Sequence, residues 1–430
     1  MQSTNEAEDL GLEYQPLYAE WIIKSLMTKY HFITLADTKE ILFYENGVYR
    51  SGGEIKIEIE AEKINKHIST RQVNEIQNHI RRRTMIERNE LNRNSHIINC
   101  KNCRLDTRDF KKYPHTPEFL STIQLPVEYN PKANCPQILN FLQTTIHRSD
   151  VKIGLALVAC AITGDNANHL AGLAIGSGNN GKSVWNGLIE ALFGKNNVSH
   201  VALQELDGDK FAAADFYGKL LNICGDLPIR PLKDTGIFKK IVSGDTIRAQ
   251  RKHQQPFDFS PKGILMFSTN KLPDTPDQTL GFYRRFVYLH FPNNFEGRED
   301  RQLLSKLTTD EELSGLLNLI LESIKWMRRK EEFPGLESVQ QREETYNKIQ
   351  NSVEFFLDEC VEAKEGGSIT KDEMHEVYVS WCKSNNVPAE TKESFGKRLS
   401  QIGYKTARKI INGNRPYVWK DISLVKPKEE

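Results

Sequence analysis

Apolar positions along the chain change period several times, and each change predicts a different element. Leu17 to Tyr30 repeats at helical spacing. Ile41-Leu42-Phe43-Tyr44 and Val48-Tyr49 flank Glu45-Asn46-Gly47, which predicts a hairpin turn. Ile55 to His79 is helical in pattern and ends near the basic run Arg81-Arg82-Arg83. Pro114, Pro117, Pro126, Pro131 and Pro136 then punctuate an extended connector. From about 137 to 300 strand-like runs recur: Leu170 to Ile175, Val198 to Val201, Leu220 to Cys224 and Ile264 to Phe267. Helical patterns between them argue an α/β class with helices on the faces of a parallel-type sheet. A charged helical stretch, Asp300 to Arg329, closes this part.

The last 80 or so residues read differently. Val353 to Cys360 is helical, Thr370-Lys371-Asp372-Glu373 is a capping box opening a helix through Cys382, and Glu390 to Ile402 forms another. Arg408 to Ile411, the turn Asn412-Gly413-Asn414 and Tyr417-Val418-Trp419 add a hairpin, a pattern like a winged helix. The expected divisions are a mainly helical accessory or collar domain at 1–136, a nucleotide-binding core at 137–345 and a winged-helix-like domain at 346–430.

Composition narrows the class. A chain of 430 residues exceeds one ordinary core, and its 38% hydrophobic and 27% charged residues are those of a globular protein. No apolar run approaches the roughly 20 residues that span a bilayer, and Met1 to Glu6 is polar and acidic, so neither membrane nor secretory leader is expected. Seven scattered cysteines suit a reducing cytoplasm. Cys100 and Cys103 form a lone C-x-x-C without the further ligands zinc needs, and read as incidental thiols. Formal net charge is +1, so nucleic-acid contact requires local patches. Arg81-Arg82-Arg83 reads as a solvated face. Lys397, Arg398, Lys405, Arg408, Lys409 and Arg415 make the C-terminal end basic, open to DNA contact or to protein docking.

The chemistry concentrates at Gly176, Ser177, Gly178, Asn179, Asn180, Gly181, Lys182 and Ser183, a phosphate-binding loop pattern between a predicted strand and the helical Val184 to Phe193. Its glycines turn backbone N–H groups onto a phosphate, Lys182 reaches the β/γ-phosphates and Ser183 ligates Mg²⁺. Asp226 ends an apolar strand where an acid can hold Mg²⁺ and order water. It stands without a neighbouring acid. Glu205, Asp207 and Asp209 read as a solvated loop face. Ser268-Thr269-Asn270 ends another strand and puts an amide beside the γ-phosphate. Arg284 and Arg285 precede an apolar strand, and guanidinium suits the spread charge of phosphoryl transfer.

This order of elements resembles the superfamily 3 helicases, a branch of AAA+ motors, and most of all the phage, plasmid and poxvirus primase-helicase group. Ile98 to Asp106, Pro114 to Pro117 and Leu125 to Pro131 resemble the domain ahead of the helicase core in that group, with Cys103 where the family usually has Gly. The resemblance implies ATP with Mg²⁺ and a ring, a homo-hexamer, moving 3′→5′ on single-stranded DNA during replication in the cytoplasm, the host's if phage-encoded. By it Asn270 is the sensor, Arg285 the arginine finger with Arg284 behind it, and Lys239 a further basic residue of the family's motifs. Arg251-Lys252-His253 resembles the hairpin with which the papillomavirus replication helicase grips DNA, so Lys252 and His253 would touch phosphates. A primase or polymerase, fused or separate, is an expected partner; primase activity is not extended to this chain, since residues 1–135 lack the acidic metal ligands. Two rival readings stay open, an ATP-driven regulator or loader that never separates strands and a DNA-binding module with a degenerate ATPase.

Overall fold

The structure, a computed structural model, describes residues 16–206, 209–228, 230–252, 256–410 and 415–425. Its contacts divide the chain into two compact units, Met1–Tyr129 and Asn130–Glu430. The first unit holds a four-stranded sheet in the order Val48–Ser51, Ile41–Glu45, Phe32–Leu35, Met85–Ile86, with helices Pro16–Lys29, Gly53–Ile64 and Thr70–Arg83. Asn46 and Gly47 turn the predicted hairpin with φ of 50° and 89°. The expected single helix from 55 to 79 is two. Ser69 breaks it by capping the second: its hydroxyl accepts from Gln72 N while the Gln72 side chain bonds back to Ser69 N. Of the arginine run, Arg81 bonds Glu54 and Arg83 bonds Glu20. Cys100 and Cys103 lie buried across a tight turn, where Cys100 N donates to Cys103 O.

The second unit is built on five parallel strands in the order Phe286–His290, Ala171–Ile175, Ile264–Thr269, Leu221–Cys224, Val198–Ser199. The strand Ala171–Ile175 is buried throughout, as a central strand covered on both faces must be. Register positions the chemistry. Thr269 and His290 pair with Ile175, and Cys224 pairs with Phe267. Gly176, Asn270 and Asp226 therefore leave the sheet side by side at one edge. Phe286 pairs with Ala171, so Arg284 and Arg285 enter at the opposite edge, about 16 Å away along a five-residue strand.

The charged stretch after 300 is two helices, Leu303–Leu307 and Asp310–Lys330, because Thr308 ends the first and Thr309 caps the second. The long helix turns back to the front of the unit. Buried Glu312 accepts from the backbone N–H groups of Gln137 (3.1 Å) and Ile138 (3.0 Å), holding the N-terminus of helix Pro136–Thr145. Beyond residue 330 two elements were not anticipated, helix Val339–Gln350 and strand Val361–Thr370. The strand pairs with Tyr417–Leu424, which pairs with Thr406–Arg408, all antiparallel. Helices Ser352–Cys360, Lys371–Ser384 and Lys392–Ile402 pack with this small sheet, and Thr370 caps the second as expected. The turn 412–414 lies outside the described residues. Among the described residues no helix is long and apolar enough to cross a membrane.

Candidate functional site

The loop after Ile175 joins the central strand to a helix. Helix Lys182–Phe193 begins at its end, so the first turn's free N–H groups face the loop. Gly181 has φ of 88°, and a Cβ there would stand 2.5 Å from Thr145 Cγ2, so only glycine closes this turn. At Gly176 a Cβ would stand 1.8 Å from Asn180 Nδ2. Asn180, itself buried, donates to Phe291 O at 3.2 Å and ties the loop to the exit of the edge strand. Phe291 N returns a bond to Ile175 O, and Phe295 N to Asn179 O, both at 2.8 Å. Ser177 and Asn179 are exposed, Gly178 half-buried.

Lys182 lies folded into this loop, 7% exposed. Its Nζ donates to Gly176 O (2.8 Å), Asn180 Oδ1 (3.0 Å) and Asn270 Oδ1 (2.8 Å). All three are neutral oxygens. Burial pulls the amine down to about 8, with the charge of Asp226 working the other way. A buried cation so held has spare electrostatic demand for an anion. Ser183, on the helix's first turn, is exposed, as are Asp226 and the backbone of the Asp226 turn. These residues fit a triphosphate and a magnesium ion: a preformed loop, a cation without a bonded carboxylate, and a hydroxyl and carboxylate open to solvent. Among the described residues no cluster of three or more His, Cys, Asp or Glu could hold a metal unaided. Glu205 turns back on its own loop, accepting from Ala202 N at 2.7 Å, and Asp209 caps Phe211 N; Asp207 lies outside the described residues.

Other expected residues sit elsewhere. Arg285, expected as the trans-acting finger, is 7% exposed and turned inward. It bonds Gly281 O and Ser243 Oγ, the latter at 2.8 Å. Burial and then the charge of Arg284 pull its guanidinium below the usual value. Arg284 is the exposed one of the pair. Lys239 is not free either. Its Nζ bonds Asp277 Oδ2 at 2.7 Å, and Asp277 also accepts from the Thr235 and Thr279 hydroxyls. Burial works to raise that carboxyl, but the bonds from Lys239, Thr235 and Thr279 win and hold it well below the carboxylate range. Sequence reasoning missed Asp277 because an acid in a Pro- and Thr-rich loop carries no motif.

The basic hairpin forms between Ile247–Ala249 and Phe257–Phe259, antiparallel, with Ala249 opposite Phe257. Arg251 and Lys252 are exposed. The Arg251 guanidinium stands 6.0 Å from the centre of the Tyr217 ring, which meets Phe257 and Phe259 edge-on. His253 lies outside the described residues.

Comparison with known proteins gives three segment matches. A D5 N terminal like family matches 19–147, a family of unknown function, DUF5906, matches 174–285, and a poxvirus D5 protein-like family matches 348–423. The two D5 matches indicate the phage and poxvirus primase-helicase group and a replication-related role. Among solved structures the chain is similar to an apo form of the NrS-1 C-terminal region, 14% identical over 95% of this chain and 100% of that one, TM-score 0.45. Another apo structure of that region, residues 305–718, is 13% identical over 94% and 99%, TM-score 0.46.

Proposed function

We propose that this chain is an ATP-dependent DNA helicase of superfamily 3, an AAA+ motor that assembles as a ring, a homo-hexamer, and moves along single-stranded DNA. The observation that carries the reading is Lys182, buried in a preformed loop against neutral oxygens, one of them from Asn270 on the neighbouring strand. Strand order, with the loop strand between the edge strand and the Asn270 strand, supports the AAA+ core. The run helix, strand, helix, helix, strand, strand after Ser352 supports a winged-helix end.

In this mechanism the loop amides and Lys182 bind the β- and γ-phosphates of ATP, the amine exchanging its three neutral partners for charged ones. Ser183 and Asp226 would hold Mg²⁺, which would neutralise developing phosphate charge. Asn270, freed from Lys182, orients the attacking water. The register leaves the arginine pair at the far edge of the sheet from its own loop, so the arginine acts on a neighbouring subunit's nucleotide. We assign that part to Arg284. Arg251 and Lys252 contact the DNA backbone, without base readout.

ATP hydrolysis by the full chain is expected to rise with single-stranded DNA and to fall by about 10³-fold in Lys182→Ala. Hydrolysis indifferent to DNA would favour the regulator or loader. Strand separation retained in full by Lys182→Ala would end the motor reading.

A further inference from the structure

The arginine pair is gripped by an element outside the parallel sheet. Helix Val339–Gln350 lies against the segment 282–288, and Arg342, 6% exposed, reaches from it to the peptide carrying Arg284. Its Nη1 donates to Arg284 O and, at 3.5 Å, to Phe286 O. The grip is mutual, since Tyr288 OH donates to Arg342 O at 2.7 Å. One turn on, Tyr346 fills the space among Phe282, Tyr283 and Phe286 and donates to Pro273 O at 2.8 Å. The main chain at Arg284 is therefore fixed by this helix as well as by its own strand.

The charges here are unusual too. Burial lowers both the Arg285 and the Arg342 guanidinium and the charge of Arg284 adds to this, while Asp245 and Asp277 work against it at Arg285 and Tyr288 and Glu337 at Arg342. Among the described residues none of the three has a carboxylate within ion-pair distance. The Nε atoms of Arg285 and Arg342 are buried without a hydrogen-bond partner. Two buried arginines thus sit behind an exposed third.

We infer that Arg342 is the positioning residue for the trans-acting Arg284, holding the main chain that presents it to a neighbouring copy's triphosphate. This rests on the ring reading above.

The test uses the full chain and DNA-stimulated ATPase. Arg342→Gln is expected to lower kcat about 10- to 100-fold, as a small misplacement of a catalytic group does, with KM within about threefold. Arg342→Lys, which keeps the charge and a donor, recovers part of the loss. If Arg342→Gln does not fold, Arg342→Lys carries the same comparison at smaller amplitude. The decisive readout is subunit mixing. Lys182→Ala subunits lack the loop amine but keep the arginine, whereas Arg342 variants keep the loop. Mixed assemblies should hydrolyse ATP well above the activity of either variant alone, which a purely structural defect would not allow. Arg284→Ala mixed with Lys182→Ala is the reference. Complementation there but not with Arg342 variants overturns the inference; an unchanged kcat in Arg342→Gln does so too. No complementation by Arg284→Ala overturns the trans reading itself.

Discussion

Lys182 and Arg285 are both buried cations without a bonded carboxylate, yet the molecule uses them in opposite ways. Lys182 is held by two side-chain amide oxygens and one loop carbonyl, all able to let go when a stronger anion arrives. Arg285 bonds a carbonyl of its own helical turn and a serine at the end of another helix, and nothing about either partner invites exchange. A buried charge is costly unless it is satisfied. At Lys182 every partner is a neutral oxygen; at Arg285 two bonds meet part of that cost within the fold and the Nε is left without a partner. Motif reading alone treats both as catalytic.

The comparison can be broken most sharply at the arginines. Arg284→Ala is expected to lower kcat about 10³-fold with thermal stability unchanged, since it is exposed. Arg285→Met should instead cost about 1–3 kcal/mol of stability by denaturant unfolding, because it orphans Gly281 O and Ser243 Oγ. Equal losses of stability in the two would erase the distinction. A smaller effect lies in pH. The Lys182 amine sits at about 8 in the folded chain against an ordinary 10.5. Between those values the unfolded chain holds a proton the folded chain has lost, so this group makes stability rise with pH across that window. Bound phosphate favours the ammonium, so affinity for an ATP analogue should fall above pH 8, approaching about tenfold per unit. Lys182→Arg, always charged, should lack that fall in titrations from pH 7 to 9.5. Smallest is the hairpin. Arg251→Ala and Lys252→Ala should each reduce the salt slope of single-strand binding by about 0.7, the value of one lost phosphate contact, while leaving DNA-free ATPase alone. An unchanged slope would remove that residue from the DNA contact.

Much of the parallel-sheet unit was legible because its signals are local. The run Gly176 to Ser183, the apolar strand before it and the helix after it carry their geometry in consecutive residues, as do the capping signatures at Thr370 and the turn Asn46-Gly47. What could not be read depends on partners distant in sequence. Arg284 and Arg285 are adjacent and identical, and only packing of Phe282, Phe286 and Tyr346 decides which one turns inward. Lys239 is claimed by Asp277, which no spacing announces. The strand Val361–Thr370 reads Val-Glu-Ala-Lys-Glu-Gly-Gly-Ser-Ile-Thr, mostly exposed, and lacks the alternation that marks a strand. Its pairing with Tyr417–Leu424 supplies what its own side chains do not.

Glu312 gives the molecule an order of completion. Its two bonds join residues 174 and 175 positions apart, and they fix the helix whose last residue, Thr145, backs the turn at Gly181. As the chain leaves the ribosome the loop at 176–183 is made early, while the brace behind it waits for the helix Asp310–Lys330. A nascent chain halted anywhere before that helix therefore carries the loop at 176–183 without its rear support, and ligand binding there should mature late in synthesis.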